Sequence, residues 1–144
     1  MKRIHENVSD SMLPARGSHR EQIDLLLSRL DLLDGRAKVL MKMHFEIGNS
    51  FRQIARLLGV SETSVARRIR RISARLLDGR YIACLRNRDR LTEHQMSVAK
   101  DRFLRGFSQS KIAERKSWSL YRVGRTLKQI QGVIAEAQQL SDRA

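Results

Sequence analysis

The sequence predicts an all-α protein, built as two tandem three-helix helix-turn-helix units behind a flexible N-terminal arm. Three observations predict it. Apolar residues recur at helical spacing from Ile23 to Ile134. Serine or threonine caps stand ahead of the helical stretches, twice as full capping boxes. The chain also aligns with itself without a gap when Leu33 is laid on Leu91, a shift of 58 residues.

Taken in order, Met1 to Ser18 is polar, aperiodic and holds the only proline, Pro14, so residues 1–18 read as the arm. The first unit spans 19–79. Ile23, Leu26, Leu27, Leu30 and Leu33 form one helix face, and Asp34-Gly35 breaks it. Asp34 is expected to cap a second helix with Ala37, Leu40, Met41, His44 and Phe45 inside, closed by Gly48-Asn49. Ser50 and Gln53 form a capping box for a short helix expected to bury Ile54, Ala55 and Leu58. In the turn, Gly59 suits a left-handed backbone, Val60 is expected to plug inward, and Ser61 caps the next helix. That helix, about Glu62 to Leu77, carries Val65, Ile69, Ile72 and Leu76 on one face and Thr63, Arg67, Arg70 and Arg71 on the other.

Residues 80–90 read as a basic connector, and 91–144 as the second unit. There Thr92 and Gln95 make the second capping box, ahead of Val98, Ala99 and Phe103. Gly106 ends that helix, Ser108 opens a short one with Ile112 and Ala113, and Ser119 caps the last. The last helix turns Val123, Leu127, Ile130 and Ile134 inward and Tyr121, Arg125 and Lys128 outward. The repeat lays Phe45 on Phe103, Gly48 on Gly106, Ser50 on Ser108, Ser61 on Ser119, Val65 on Val123 and Arg67 on Arg125. These are cap, turn and core positions, joined by one outward arginine.

Lys and Arg total 29 against 15 Asp and Glu, a net charge of +14. The excess is uneven: residues 51–90 hold eleven arginines against Glu62, Asp78 and Asp89. Such a footprint calls for a polyanionic partner, because each neutralised phosphate releases condensed counterions. Aromatics at 5% argue against a base-stacking RNA-binding sheet. The lone Cys84 excludes an internal disulfide and reads as a small buried hydrophobe. His5, His19 and His94 are dispersed, His44 lies on an apolar face and Trp118 reads as a core plug, so no metal site is expected. No phosphate-binding loop, serine-hydrolase elbow or zinc-protease motif is present, so no catalytic residue and no cofactor are expected. Without a signal-like start or an apolar run near ~18 residues, the expected setting is the cytoplasm of a bacterium or phage host, with no membrane partner.

A helix-turn-helix must hold its second helix proud of the body to enter a major groove about 12 Å wide. Ala55 and Ala113 supply the small residue where the two helices cross. Double-stranded DNA is therefore the expected partner. The run Ile54-Ala55-Arg56-Leu57-Leu58-Gly59-Val60-Ser61-Glu62-Thr63-Ser64-Val65, with Arg68 and Ile69 behind it and Arg36 to Phe45 ahead, resembles region 4 of the sigma-70 family of transcription initiation factors. The resemblance covers about residues 30–77 and implies reading of a promoter's upstream element. It implies base contacts by Glu62, Thr63 and Arg67, with Ser61 and Ser64 beside them and Arg68, Arg70 and Arg71 nearer phosphates. In the second unit the corresponding candidates are Ser119, Tyr121, Arg122, Arg125 and Lys128.

The chain departs from the family in lacking the aromatic row that melts promoter DNA, so it reads as something other than a complete sigma factor. Its second unit is degenerate. Lys116 stands where a buried leucine is expected, Ser117 where glycine is, and Gly124 weakens a helix by about 1 kcal/mol relative to alanine. Gly124 either lets the DNA backbone approach or marks a drift to a structural role. Two other readings stay open. One is docking on RNA polymerase through the Glu21 to Asp34 helix, and the other is sequence-neutral nucleoid or RNA binding. A monomer and a homodimer paired through Leu25 and Leu32 both fit.

Overall fold

The computed structural model describes residues 16–143, with side chains from His19 onward. The expected arm lies outside the described residues, save that the first helix already begins at Arg16. Among the described residues there are eight α-helices and no strand. They fall into two compact units, one ending at Asp78 and one beginning at Gly79.

In the first unit, α1 (Arg16–Arg29) runs into a 3-10 turn at Leu30–Leu32, followed by α2 (Gly35–Phe45), α3 (Phe51–Leu58) and α4 (Glu62–Asp78). Helix α1 packs on α4, and α3 on α4. Leu26, Leu30, Met41, Ile54, Val65 and Ile69 are fully buried between them. Each such side chain contributes about 1.5–3 kcal/mol by leaving water. The Arg29 guanidinium donates to the Leu76 carbonyl, tying the end of α1 to the end of α4. His44 is wholly buried, stacked on Phe51 at 4.7 Å and edge-on to Phe45 at 4.8 Å.

The second unit holds α5 (Arg80–Arg86), a 3-10 turn at Arg88–Arg90, α6 (Glu93–Ala99) with a π turn at Lys100–Leu104, α7 (Gln109–Lys116) and α8 (Leu120–Arg143). Its core joins Cys84, Val98, Ala99, Phe103, Ile112, Val123, Leu127 and Ile130. Burial pushes the Cys84 thiol up to about 11, which suits a packing role and removes it as a nucleophile at neutral pH.

The 58-residue register is also a register of hydrogen bonds. Val60 N–H donates to the Ala55 carbonyl at 3.1 Å and Trp118 N–H to that of Ala113 at 2.9 Å. Asn49 N–H reaches the Met43 carbonyl and Phe107 N–H the Asp101 carbonyl, both at 2.9 Å. Ile47 and Arg105 close the same widened turn on Lys42 and Lys100, at 3.0 and 2.9 Å. The left-handed residue after α3 is Gly59, at φ 68°, and after α7 it is Ser117, at φ 56°. The turn thus keeps its geometry without its glycine. Each three-helix unit carries one more helix ahead of it than the motif requires, α1 in the first and α5 in the second.

Four local expectations change. Leu58 is 49% exposed rather than buried, and Val60 is 42% exposed rather than plugged inward. Nothing in the unit covers these two side chains of the turn. Asp34 does occupy the N-cap of α2 in extended backbone, but its side chain makes no capping hydrogen bond. Residues 80–90, read as a connector, are helical, and α5 sends Cys84 into the second core.

Candidate nucleic-acid interface

Helix α4 is positioned by two caps and one stripe. Ser50 Oγ accepts from Gln53 N–H at 3.1 Å while Gln53 Oε1 accepts from Ser50 N–H at 2.8 Å, which fixes the start of α3. Gly59 then reverses the chain. Ser61 Oγ accepts from Ser64 N–H at 3.1 Å and starts α4. Val65, Ala66, Ile69, Ile72 and Leu76 bury the inner stripe. Because helical side chains advance ~100° per residue, that burial forces Thr63, Arg67 and Arg70 outward, and all three are exposed.

The structure gathers Glu62, Thr63, Arg67, Arg70 and Arg71 along one open groove of about 510 Å³, walled by Phe51 and Ala66. Arg68 is exposed but stands outside that groove. Ser61 and Ser64 are engaged in capping, with Ser61 Oγ also donating to Ser64 Oγ at 2.9 Å. Their first role is to start the helix. Burial, and then the Arg71 charge, lower the Arg75 guanidinium from its ordinary value. Arg67, Arg70 and Arg71 line one groove, so positive charge is crowded along this helix, as a polyanion-binding surface requires.

In the second unit Ser119 Oγ accepts from Arg122 N–H at 3.1 Å, the same cap in the same register. Tyr121 is 76% exposed, and Arg125 and Lys128 are exposed beyond it. Arg122 lies 3.7 Å from the centre of the half-buried Trp118 ring, so the indole holds its guanidinium in place. Lys116, at the position of Leu58, donates to Ser97 Oγ at 2.6 Å and lies 3.8 Å from buried Asp101, which also binds Arg105 at 2.6 Å. The first unit has Val39 and Met43 where Ser97 and Asp101 stand. Three apolar positions have become one polar cluster, so the departure at Lys116 has its own partners.

A second groove borders α8. Of the candidate contact residues singled out from sequence, only Lys128 lines it, beside Gly124 and the core positions Phe103 and Leu127. Arg80, Arg102, Gln109 and Gln131 line it too, and the sequence reading passed over them. The signal that would have found them is the repeat itself, because they stand opposite Gln22, His44, Phe51 and Ser73.

Residues 23–76 match the family model for sigma-70, region 4. The match covers most of the first unit and extends the resemblance back into α1. The first unit is thus similar to sigma-70 region 4 over those residues, which make up somewhat more than a third of the chain. No curated protein and no solved structure matches the chain. Among the described residues, no helix is long and apolar enough to cross a membrane.

Proposed function

We propose that the chain is a sequence-specific, double-stranded-DNA-binding regulator of transcription, with α4 and α8 as its two major-groove recognition helices. One observation carries the reading. On α4 Thr63, Arg67, Arg70 and Arg71 line a single groove, while Val65, Ala66, Ile69, Ile72 and Leu76 are buried. An arginine reads guanine O6 and N7 as a bidentate pair, at ~1–3 kcal/mol of discrimination each. Arg67 and Thr63 would face bases, and Arg70 and Arg71 phosphates. Selection of bound fragments from a random duplex pool tests it. Enrichment of a defined site supports sequence-specific reading, and a pool that stays random after repeated rounds contradicts it.

A second reading, docking on RNA polymerase, draws support from the first unit's surface. Val39, Ile47, Leu57, Leu58 and Val60 are exposed large apolar residues of that unit, and apolar surface left exposed is what a protein contact covers. Retention of purified polymerase that Leu57→Ser with Leu58→Ser abolishes would favour it. Unchanged retention would remove that surface from the account.

A further inference from the structure

The groove beside α8 shares three positions with the α4 groove, Gln109 for Phe51, Gly124 for Ala66 and Lys128 for Arg70, but the rest of its lining differs. It encloses about 250 Å³, and its cations are Arg80, Arg102 and Lys128. Gln109 and Gln131 add amide donors, while buried Phe103 and Leu127 supply the floor. No carboxylate lines it. The Arg80 guanidinium lies 4.9 Å from the centre of the Phe103 ring, and Arg102 donates to the Phe107 carbonyl at 3.1 Å. Both arginine heads are thereby held at the pocket rather than left to wander.

Shifted back by 58 residues, Arg80, Arg102 and Gln131 meet positions whose side-chain polar atoms are buried in the first unit. Phe51 replaces Gln109 and stacks on His44, which replaces Arg102. Gln22, Ser73 and Ala66 replace Arg80, Gln131 and Gly124. Gln22 Oε1, His44 Nε2 and Ser73 Oγ are all buried there without a hydrogen-bond partner. The first unit thus sets buried polar atoms beside Phe51, while Phe51, Ala66 and Arg70 also line the open α4 groove with Arg67 and Arg71. The second unit places Arg80, Arg102 and Gln131 at those positions, so that with Lys128 three cations line its groove. Drift alone tends to scatter changes; here the arginines at 80 and 102 and the glutamine at 109 arrive at one cavity. Gly124 also lines the groove, where a Cβ would come into ordinary contact with Gln109 Oε1 at 3.5 Å.

We infer that this pocket binds a phosphate group. Three cations and two amides match a phosphate's charge and its acceptor oxygens, and arginine suits that geometry best. The pocket lies on the flank of α8, so the phosphate expected is one of the DNA backbone. Only that choice of source rests on the DNA-binding reading.

The test compares the full chain with a Lys128→Gln, Gln131→Glu variant, whose altered side chains are exposed and outside the core. A Gln138→Glu, Arg143→Gln variant carries the same charge change at the far end of α8. For a backbone phosphate, the pocket variant binds a mixed-sequence duplex about fivefold more weakly, its salt slope falls by about one, and the control keeps the parent slope. For a free phosphate, duplex binding is unchanged, but millimolar inorganic phosphate shifts the amide resonances of Gly124 and Gln131 in the parent and not in the pocket variant. If both arms match the parent, the pocket inference is overturned. Arg67→Ala, run alongside, separates the two ideas. Duplex binding that Arg67→Ala weakens and the pocket variant does not, with no phosphate shift, defeats the pocket and leaves the DNA reading standing. Duplex binding that neither change alters, with the phosphate shift present, does the reverse.

Discussion

Ser117 holds the left-handed position of the second turn at φ 56°, the one non-glycine residue with positive φ among those described. A side chain there costs about 1 kcal/mol that Gly59 does not. Ser117→Gly is expected to stabilise the second unit by about that much in denaturant titration. His44 is the other residue with a measurable cost. Burial lowers its pKa from 6.5, although Asn49's carbonyl, 2.9 Å from Nδ1, opposes the shift. The unfolded chain therefore binds a proton that the folded unit resists. The histidine's contribution to stability is complete above pH 6.5 and is lost as pH falls through the folded value. Between pH 7.5 and 5.5 the parent should lose more stability than His44→Phe, as read by urea unfolding at each pH. Gly59, Ser61 and the capping boxes were legible in the sequence because each satisfies a local backbone demand. The exposure of Leu58 and Val60 was not, because burial depends on what lies above a residue, and helical spacing carries no record of a missing layer. The Lys116, Asp101 and Ser97 cluster was hidden for a related reason. Its members are far apart in the chain, and each alone looks like a surface residue.

Helix α4 was the easiest element to read. Its buried stripe and arginine face repeat over four turns, and both ends carry a signal. If Arg70 and Arg71 meet phosphates, replacing both by glutamine weakens binding to every duplex alike and lowers the salt slope by about two. A loss confined to one sequence would instead place them on bases. Helix α5 was the hardest. Its seven residues include the consecutive apolar run Tyr81-Ile82-Ala83-Cys84-Leu85, which has no helical period. A helix this short gains its stability from packing rather than propensity, and its arginines pointed towards a connector. The register that aligns α2 with α6 also aligns α1 with α5, so extending the self-comparison upstream would have exposed it.

At the scale of the molecule, the +14 charge and the internal repeat together make the functional case. On the proposed reading, the charge points to a polyanion and the repeat supplies two helices to meet it. Two linked units gain by effective concentration when both engage one duplex. The units are unequal. The first carries the family match, and the second keeps the turn geometry while exchanging an aromatic corner for a cationic one. That exchange favours a contact role for the second unit over a purely structural one. The most direct test is the affinity for a selected duplex of Arg67→Ala, Arg125→Ala and the double variant, at one fixed salt concentration. Each single change should weaken binding about tenfold or more, and the double change about a hundredfold. A double variant that binds as tightly as the parent would contradict the account.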